Sequence, residues 1–342
     1  MPLTTVQSGM MDSVAQYNGF KNRIINGAMS VWQRGTSFSN PSVGGSFYTA
    51  DRWGANRAGD VTGATVSRSS SAPTGFQYSL ALQRTAANAS TAGLYLFYSS
   101  ESSYTYDLAG QTVTLSFWAK VGANYSGGTL NTNAYGGTGT DQRVYAYTGS
   151  TTLLSYSPTL TTTWTQYSAT FTVPSNITEM GLQFSWFPTG TAGADDAVYI
   201  TGVQLEKGVT ATSFDYRPYT TELQLCQRYL PVYICGSTAS PFATGYARTS
   251  AIAELFYPFQ VQARVPPTGI TLINAASTFR VYPVSITQAC SSVTFSATFD
   301  ASTFVGAVNF NTAGSPAMTV GQFVIGYASN ATSAILFTGC EL

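Results

Sequence analysis

Hydrophobic and polar residues alternate with a period of two along much of the chain. Between Gln111 and Lys120, Val113, Leu115, Phe117 and Ala119 fall on one face and Thr112, Thr114, Ser116 and Trp118 on the other, the pattern of a half-buried strand. The same alternation marks residues 93–98, 143–147, 164–173, 181–186 and 197–205. About eight such strands between Gly, Ser, Asn and Pro clusters predict a jelly-roll sandwich. Residues 122–140, rich in Gly, Asn and Thr, read as a long loop or a pair of turns. The glycines Gly136, Gly137 and Gly139 in that stretch are not a phosphate loop, because no Lys-Ser/Thr pair and no helical pattern follow them.

The period changes once. Residues 220–230 place Leu223, Cys226 and Leu230, with Leu225 and Tyr229, on one helical face, and Pro231 stops the helix. Strand-like runs resume at 292–299, 322–327 and 334–337, enough for a second, smaller β-sandwich. Residues 260–267 are expected as an edge or terminal strand, since Pro266 and Pro267 have no N–H to donate. The expected organisation is an all-β chain with an N-terminal arm at 1–20 for attachment or trimerisation, a jelly roll at 21–219, a linker helix at 220–231 and a C-terminal sandwich at 232–342.

Composition narrows the function. The 342 residues carry 15 basic and 15 acidic side chains, 9% charged in total, which leaves a neutral surface of hydroxyls and aromatics. The three lysines, Lys21, Lys120 and Lys207, are scattered, so no basic stripe exists for a phosphate backbone and no nucleic-acid partner is expected. Histidine is absent, which removes the usual zinc ligand and the base of Ser-His-Asp and Cys-His catalysis. The four cysteines, Cys226, Cys235, Cys290 and Cys340, have no CxxC spacing and read as buried free thiols. No apolar run is long enough to span a bilayer, so membrane insertion is not expected, and neither is a secretion signal.

Three segments carry a resemblance. Asn22-Arg23-Ile24-Ile25-Asn26-Gly27 is followed by Trp32-Gln33-Arg34; Tyr48-Thr49-Ala50-Asp51-Arg52-Trp53 comes next; and Val203-Gln204-Leu205-Glu206 leads into Phe214-Asp215-Tyr216-Arg217-Pro218 and Leu223 to Tyr229. In this order the motifs resemble those of the tail-fibre and related virion surface proteins of tailed bacteriophages, over residues 21–267. The resemblance implies that the first domain is similar to the galactose-binding-like jelly rolls that serve as carbohydrate-binding modules on glycoside hydrolases, and that it has room for a structural calcium. It implies no required cofactor.

On that frame Asn26 and Glu206 fall on the first and last strands of the jelly roll. With backbone carbonyls they are the candidate calcium ligands. The alternative is structural: Glu206 pairs with Arg52 or Arg23, and Asp195-Asp196 is a solvated turn. Asp51, Arg52 and Trp53 read as a structural corner with the guanidinium stacked on a buried indole, and Arg217 as a clamp at the domain junction. Sugar rings present C–H faces that stack on aromatics. The candidate carbohydrate-binding residues are therefore Tyr95, Tyr98, Trp118, Tyr145, Tyr147 and Trp186, expected on strand faces turned away from the core. Asp195, Asp196, Glu206 and Asp215 could supply a glycosidase pair, yet the long repeat-built helices of depolymerising tailspikes are missing. No catalytic residues are expected.

The sequence thus points to a non-enzymatic bacteriophage virion protein, a tail fibre or receptor-binding protein contacting host surface glycan. The expected assembly is a homotrimer, joined to other virion proteins through its N-terminal arm and made in the host cytoplasm. The alternative is a capsid decoration, head-fibre or tail-tip protein without receptor binding.

Overall fold

The alternating stretches become strands. The computed structural model describes residues 20–40, 47–58, 63–239, 241–283, 287–296, 302–312 and 317–342, so the expected arm at 1–20 lies outside the described residues apart from Phe20. The chain divides into two compact units, residues 1–222 together with Leu342, and residues 223–341.

The first unit contains β1 (Ser37–Ser39), β2 (Phe47–Tyr48), β3 (Trp53–Arg57), β4 (Ala64–Ser69), β5 (Ser79–Arg84), β6 (Leu94–Ser99), β7 (Thr112–Val121), β8 (Asn131–Gly137), β9 (Thr151–Tyr156), β10 (Thr165–Thr172), β11 (Glu179–Trp186) and β12 (Ala197–Lys207). They form two six-stranded sheets. The back sheet runs β1-β4-β5-β12-β7-β10 and the front sheet β2-β3-β6-β11-β8-β9, with all neighbours antiparallel. Alternation decides what lies between them. Val113, Leu115, Phe117, Ala119 and Val121 of β7 face Leu94, Leu96 and Tyr98 of β6 and Leu182, Phe184 and Trp186 of β11 in one buried core. Phe117 of the back sheet meets Phe184 of the front sheet edge-to-face at 5.0 Å.

The motifs behind the resemblance converge around Asn26 and act as a clasp. Asn26 is fully buried at φ 57°. Its amide donates to the carbonyls of Val31 and Asp51, each at 2.9 Å, and accepts from the N–H groups of Ser30 and Val31. Gly27 follows because a Cβ there would stand 2.1 Å from the Val203 carbonyl oxygen of β12. The Trp53 indole donates to the Asn26 carbonyl at 3.1 Å, and Asp51 accepts the Gln33 N–H at 2.9 Å. Arg217 donates to the carbonyls of Asn22 and Ile24 and pairs with Glu222 at 3.2 Å, and Glu222 in turn accepts the Asn26 N–H.

Two details differ from the sequence reading. Arg52, at φ 71°, lies over the Tyr98 ring at 5.4 Å and donates to the Ser99 carbonyl, so a tyrosine that the sequence reading did not assign to this corner takes part in holding it. The stretch 122–140, expected as loop, contains β8. Its alternating Asn131, Asn133 and Tyr135 pair with β11 and β9, and its weak propensity is overridden by that pairing.

Helix α1 (Tyr219–Gln227) ends earlier than expected, and residues 228–230 finish as a hydrogen-bonded turn in which the N–H groups of both Tyr229 and Leu230 reach the Cys226 carbonyl. The second unit holds β13 (Val232–Ile234), β14 (Pro241–Ala247), β15 (Ile252–Pro258), β16 (Gly269–Ile273), β17 (Phe279–Tyr282), β18 (Gln288–Phe295), β19 (Val305–Thr312), β20 (Phe323–Ala328) and β21 (Ala334–Thr338). Six of them close into a barrel in the order β14-β15-β19-β18-β17-β20, leaving no open edge, and β13-β21-β16 form a small separate sheet. Leu255, Tyr257, Phe279, Val308, Phe310 and Val324 belong to its core. Residues 260–267 are not a strand: the Ala263 N–H donates to the Thr303 carbonyl and the Arg264 N–H to that of Arg228, outside any ladder. All four cysteines are buried free thiols, and burial pushes Cys290 up to about 12 and Cys340 up to about 11, which makes both inert.

Candidate functional site

The outer face of the front sheet is the best-formed candidate site. Its strands bring two rows of side chains into register. The first row is Asn56 of β3, Tyr95 of β6, Ser185 of β11 and Asn131 of β8. The second is Gly54, Phe97, Gln183, Asn133 and Ser155, running from β3 to β9. Apart from Gly54, amides, hydroxyls and rings make up both rows, and neither contains a charged side chain; Phe97, Gln183 and Ser185 are buried, and Asn56, Tyr95, Asn131, Asn133 and Ser155 are the more open members. Gln183 donates to the Ser185 hydroxyl at 3.4 Å, and Ser157 donates to the Asn131 amide oxygen at 3.0 Å.

Aromatic rings wall this face at two points. Gly54 leaves room for Phe97, since a Cβ on Gly54 would stand 2.1 Å from the Phe97 ring. Tyr145, 51% exposed, packs edge-to-face on Phe97 at 5.2 Å. Phe187, equally exposed, packs edge-to-face on Tyr95 at 6.0 Å.

The loop that carries Tyr145 is tied down at several places. The Val144 N–H donates to the Ser99 hydroxyl at 3.0 Å, Gln142 N–H to Glu179 at 2.7 Å, and Thr148 N–H to the Gln142 side chain at 2.7 Å. Asp141, at φ 53°, accepts the Ser102 N–H at 2.8 Å. Glu179 is buried, and burial raises its carboxyl above the ordinary value, against the N–H groups of Gln142 and Gly139 that lower it.

Of the six aromatics expected to bind carbohydrate, Tyr95 and Tyr145 lie on this face. Trp118 lies on the outer face of the back sheet, opposite Gln166 and Thr201. Tyr98, Tyr147 and Trp186 are corrections, because all three are buried. Tyr98 shares the inward parity of Leu94 and Leu96, and its hydroxyl accepts the Ile25 N–H at 3.0 Å. Trp186 shares the inward parity of Leu182 and Phe184 and packs on Tyr125 at 4.9 Å. Tyr147 sits in a turn, not in the strand expected at 143–147, and is tucked under with Val144 and Phe97. The sequence reading missed Asn56, Asn131, Asn133, Gln183, Ser185 and Phe187. The signal for Gln183 and Ser185 was their polar parity within a strand already recognised.

Asn26 and Glu206 do not fit a calcium ion. The Asn26 oxygen already accepts two backbone N–H groups, and Glu206 accepts the Thr212 N–H, the Thr212 hydroxyl at 2.6 Å and the Gln204 amide at 2.8 Å. Among the described residues no three His, Cys, Asp or Glu side chains gather into a metal-holding group. The ion pairs also differ from the expected ones. Arg23 joins Asp107 at 2.6 Å and leaves Glu206 to hydroxyl and amide donors. Asp196 is no solvated turn: it is fully buried in an ion pair with Arg84 at 2.8 Å, and also accepts the Ser126 N–H and hydroxyl.

No protein-family profile and no curated protein matches the chain. Solved structures do. The CBM22-1 xylan-binding domain of Paenibacillus barcinonensis Xyn10C matches at 15% identity and a TM-score of 0.31, over 51% of this chain and 94% of that one. The C-terminal family 22 carbohydrate-binding module of Clostridium thermocellum Xyn10B matches at 18% identity and 0.32, over 50% and 100%. The enzymatically active domain of bacteriophage CBA120 tailspike protein 4 matches at 19% identity and 0.34, over 53% of this chain and 23% of that one, so the chain spans under a quarter of its length. Scores this low say nothing of what this chain binds.

Proposed function

We propose that the chain is a non-enzymatic virion surface protein of a tailed bacteriophage that contacts host glycan through the outer face of its front sheet. The observation that carries the binding half is the pair of uncharged rows, Asn56-Tyr95-Ser185-Asn131 and Phe97-Gln183-Asn133-Ser155, flanked by the exposed rings of Tyr145 and Phe187. Rings supply faces for sugar C–H groups, and amides and hydroxyls both donate and accept, which suits hydroxyl-rich neutral ligands. The virion half rests on the ordered motifs of residues 22–229. A tail-fibre position and a homotrimer complete the reading. Only 9% of the residues are charged, which fits a chain whose surface is covered by copies of itself.

The test has three arms. A neutral-glycan array probed with the intact protein is expected to give hits that Tyr95→Ala weakens by about 1–3 kcal/mol, roughly five- to 150-fold, without lowering Tm. Equal binding by the variant removes the front face from the proposal. Light scattering is expected to show a trimer, and a monodisperse monomer ends that part. Gold-labelled antibody on intact particles is expected at the tail, and label spread over the head makes the chain a decoration protein instead.

A further inference from the structure

On the opposite side of the sandwich, the outward parity of β7 presents Thr112, Thr114, Ser116, Trp118 and Lys120, since the intervening residues are in the core. Lys120 is the unusual member. Its ammonium lies 4.8 Å from the centre of the Tyr199 ring, directly across on β12, and 5.7 Å from that of Trp164. The other two lysines are engaged, Lys21 with the Ser213 carbonyl at 2.7 Å and Lys207 with Asp107 at 2.9 Å. Among the described residues Lys120 has no carboxylate or carbonyl within hydrogen-bonding or ion-pair reach, and rings alone hold it.

The acid associated with this cluster is already committed. Asp195 accepts the Tyr199 hydroxyl at 2.9 Å on one oxygen and the Ala123 N–H at 3.0 Å on the other. It therefore fixes the Tyr199 ring and makes no direct contact with the Lys120 ammonium. Next to Lys120 on the same face stands the half-buried Trp118 indole, with the exposed amide of Gln166 across from it on β10.

We infer that this patch is a second carbohydrate site, distinct from the front face, and that it takes an acidic saccharide. Trp118 and Trp164 offer ring faces to the sugar, Gln166 reaches its hydroxyls, and Lys120 receives the carboxylate. The Lys120 ammonium is held in place by two rings and touches no carboxylate, so an incoming anion meets a cation already positioned for it. The occupant is a sugar and not an acidic peptide because a single fixed cation sits among flat rings and neutral hydrogen-bonding groups. A peptide acid would need a charge array that a 9% charged chain does not supply.

Calorimetric titration of the full chain with trigalacturonate tests this, with xylotriose as the neutral control and oligoaspartate as the non-sugar anion. Trigalacturonate is expected to bind. Lys120→Met and Trp118→Ala should each weaken it about tenfold or more, Lys120→Arg should keep most of the affinity, and Tyr95→Ala should change nothing. Lys120→Arg also keeps the test open if methionine disturbs the strand. No trigalacturonate binding, equal binding by Lys120→Met and wild type, or oligoaspartate binding as tight as trigalacturonate and unaffected by Trp118→Ala each overturns the inference. The front-face reading stands or falls separately, on neutral glycan and Tyr95.

Discussion

The two outer faces of the jelly roll are built from the same materials and differ in where a cation sits: at the edge of the front face, Arg34 over Tyr48, and within the back face, Lys120 between two rings. On the front face, Tyr95, Gln183 and Asn133 pair with neutral residues, Phe97 meets the Tyr48 ring that Arg34 covers, and the carboxylate at the face's end, Glu179, is buried beneath a loop. On the back face, Trp164 and Tyr199 hold the Lys120 ammonium, which no carboxylate touches among the described residues, and Trp118 shares its strand face. In a chain with so few charges, the position of that ammonium separates two surfaces that composition makes alike. On the two proposals above, neutral and acidic saccharides are the ligands expected to separate them.

The contrast exists only while the sandwich is intact, and the change expected to abolish both faces together is Asp196→Ala. Asp196 and Arg84 are both fully buried at the ends of back-sheet strands, and Arg84 also donates to the carbonyls of Asn88 and Gly190 while Asp196 holds Ser126. Removing the acid strands a buried guanidinium, at a cost of about 3–5 kcal/mol. Urea unfolding should show that loss, with both glycan activities falling in parallel with the folded fraction. A loss under about 1 kcal/mol would mean that water reaches Arg84.

Gly54→Val breaks the symmetry in one direction. The new side chain would drive into the Phe97 ring, which supports Tyr145. Overpacking of this kind costs about 1–3 kcal/mol. A lower Tm with neutral-glycan binding lost and trigalacturonate binding kept would show that the two faces are independent. Loss of both would couple them through the core.

Strand parity makes much of this contrast legible in the sequence. The alternation in residues 111–120 places Trp118 outward and Phe117 inward, and both placements hold. The same rule excludes Tyr98 once Tyr95 is outward, because three residues apart in a strand means opposite faces, and it excludes Trp186 once Gln183 is outward. Ring chemistry alone does not separate those two from Tyr95, whereas periodicity does. Other features have no local signal. Arg84 and Asp196 meet from 112 residues apart, and β8 is drawn into a strand from a Gly- and Asn-rich stretch by the edge that β11 offers. Tyr147 is hidden by a turn held at Gln142 and Val144, through partners far along the chain. The motifs of residues 22–34, 48–53 and 203–217 are conspicuous for their residue types, and their role is the clasp around Asn26, not the two front-sheet rows.

The smallest expected effect sharpens the front face most finely, because it separates an oxygen from its charge. Glu179 accepts the Gln142 N–H and so anchors the loop of Tyr145, yet burial raises its pKa from the ordinary 4.5, with Asp141 adding to the rise and the Gln142 and Gly139 N–H groups opposing it. A folded-state pKa above the unfolded one means that the folded protein holds this proton more tightly. The resulting stability is present in full below the unfolded value and is lost as pH rises through the folded value. At neutral pH the charge is therefore a net cost, and the anchoring belongs to the oxygen. Glu179→Gln keeps an acceptor for the Gln142 N–H and removes the charge. It should raise Tm by about 1–2 °C at pH 7, with the gain vanishing as the pH falls below the ordinary carboxylate value, where wild-type Glu179 is itself protonated, and with neutral-glycan binding unchanged. A Tm below wild type at pH 7 would mean that the loop is held by the carboxylate's charge, and the front face would then be neutral only at its surface.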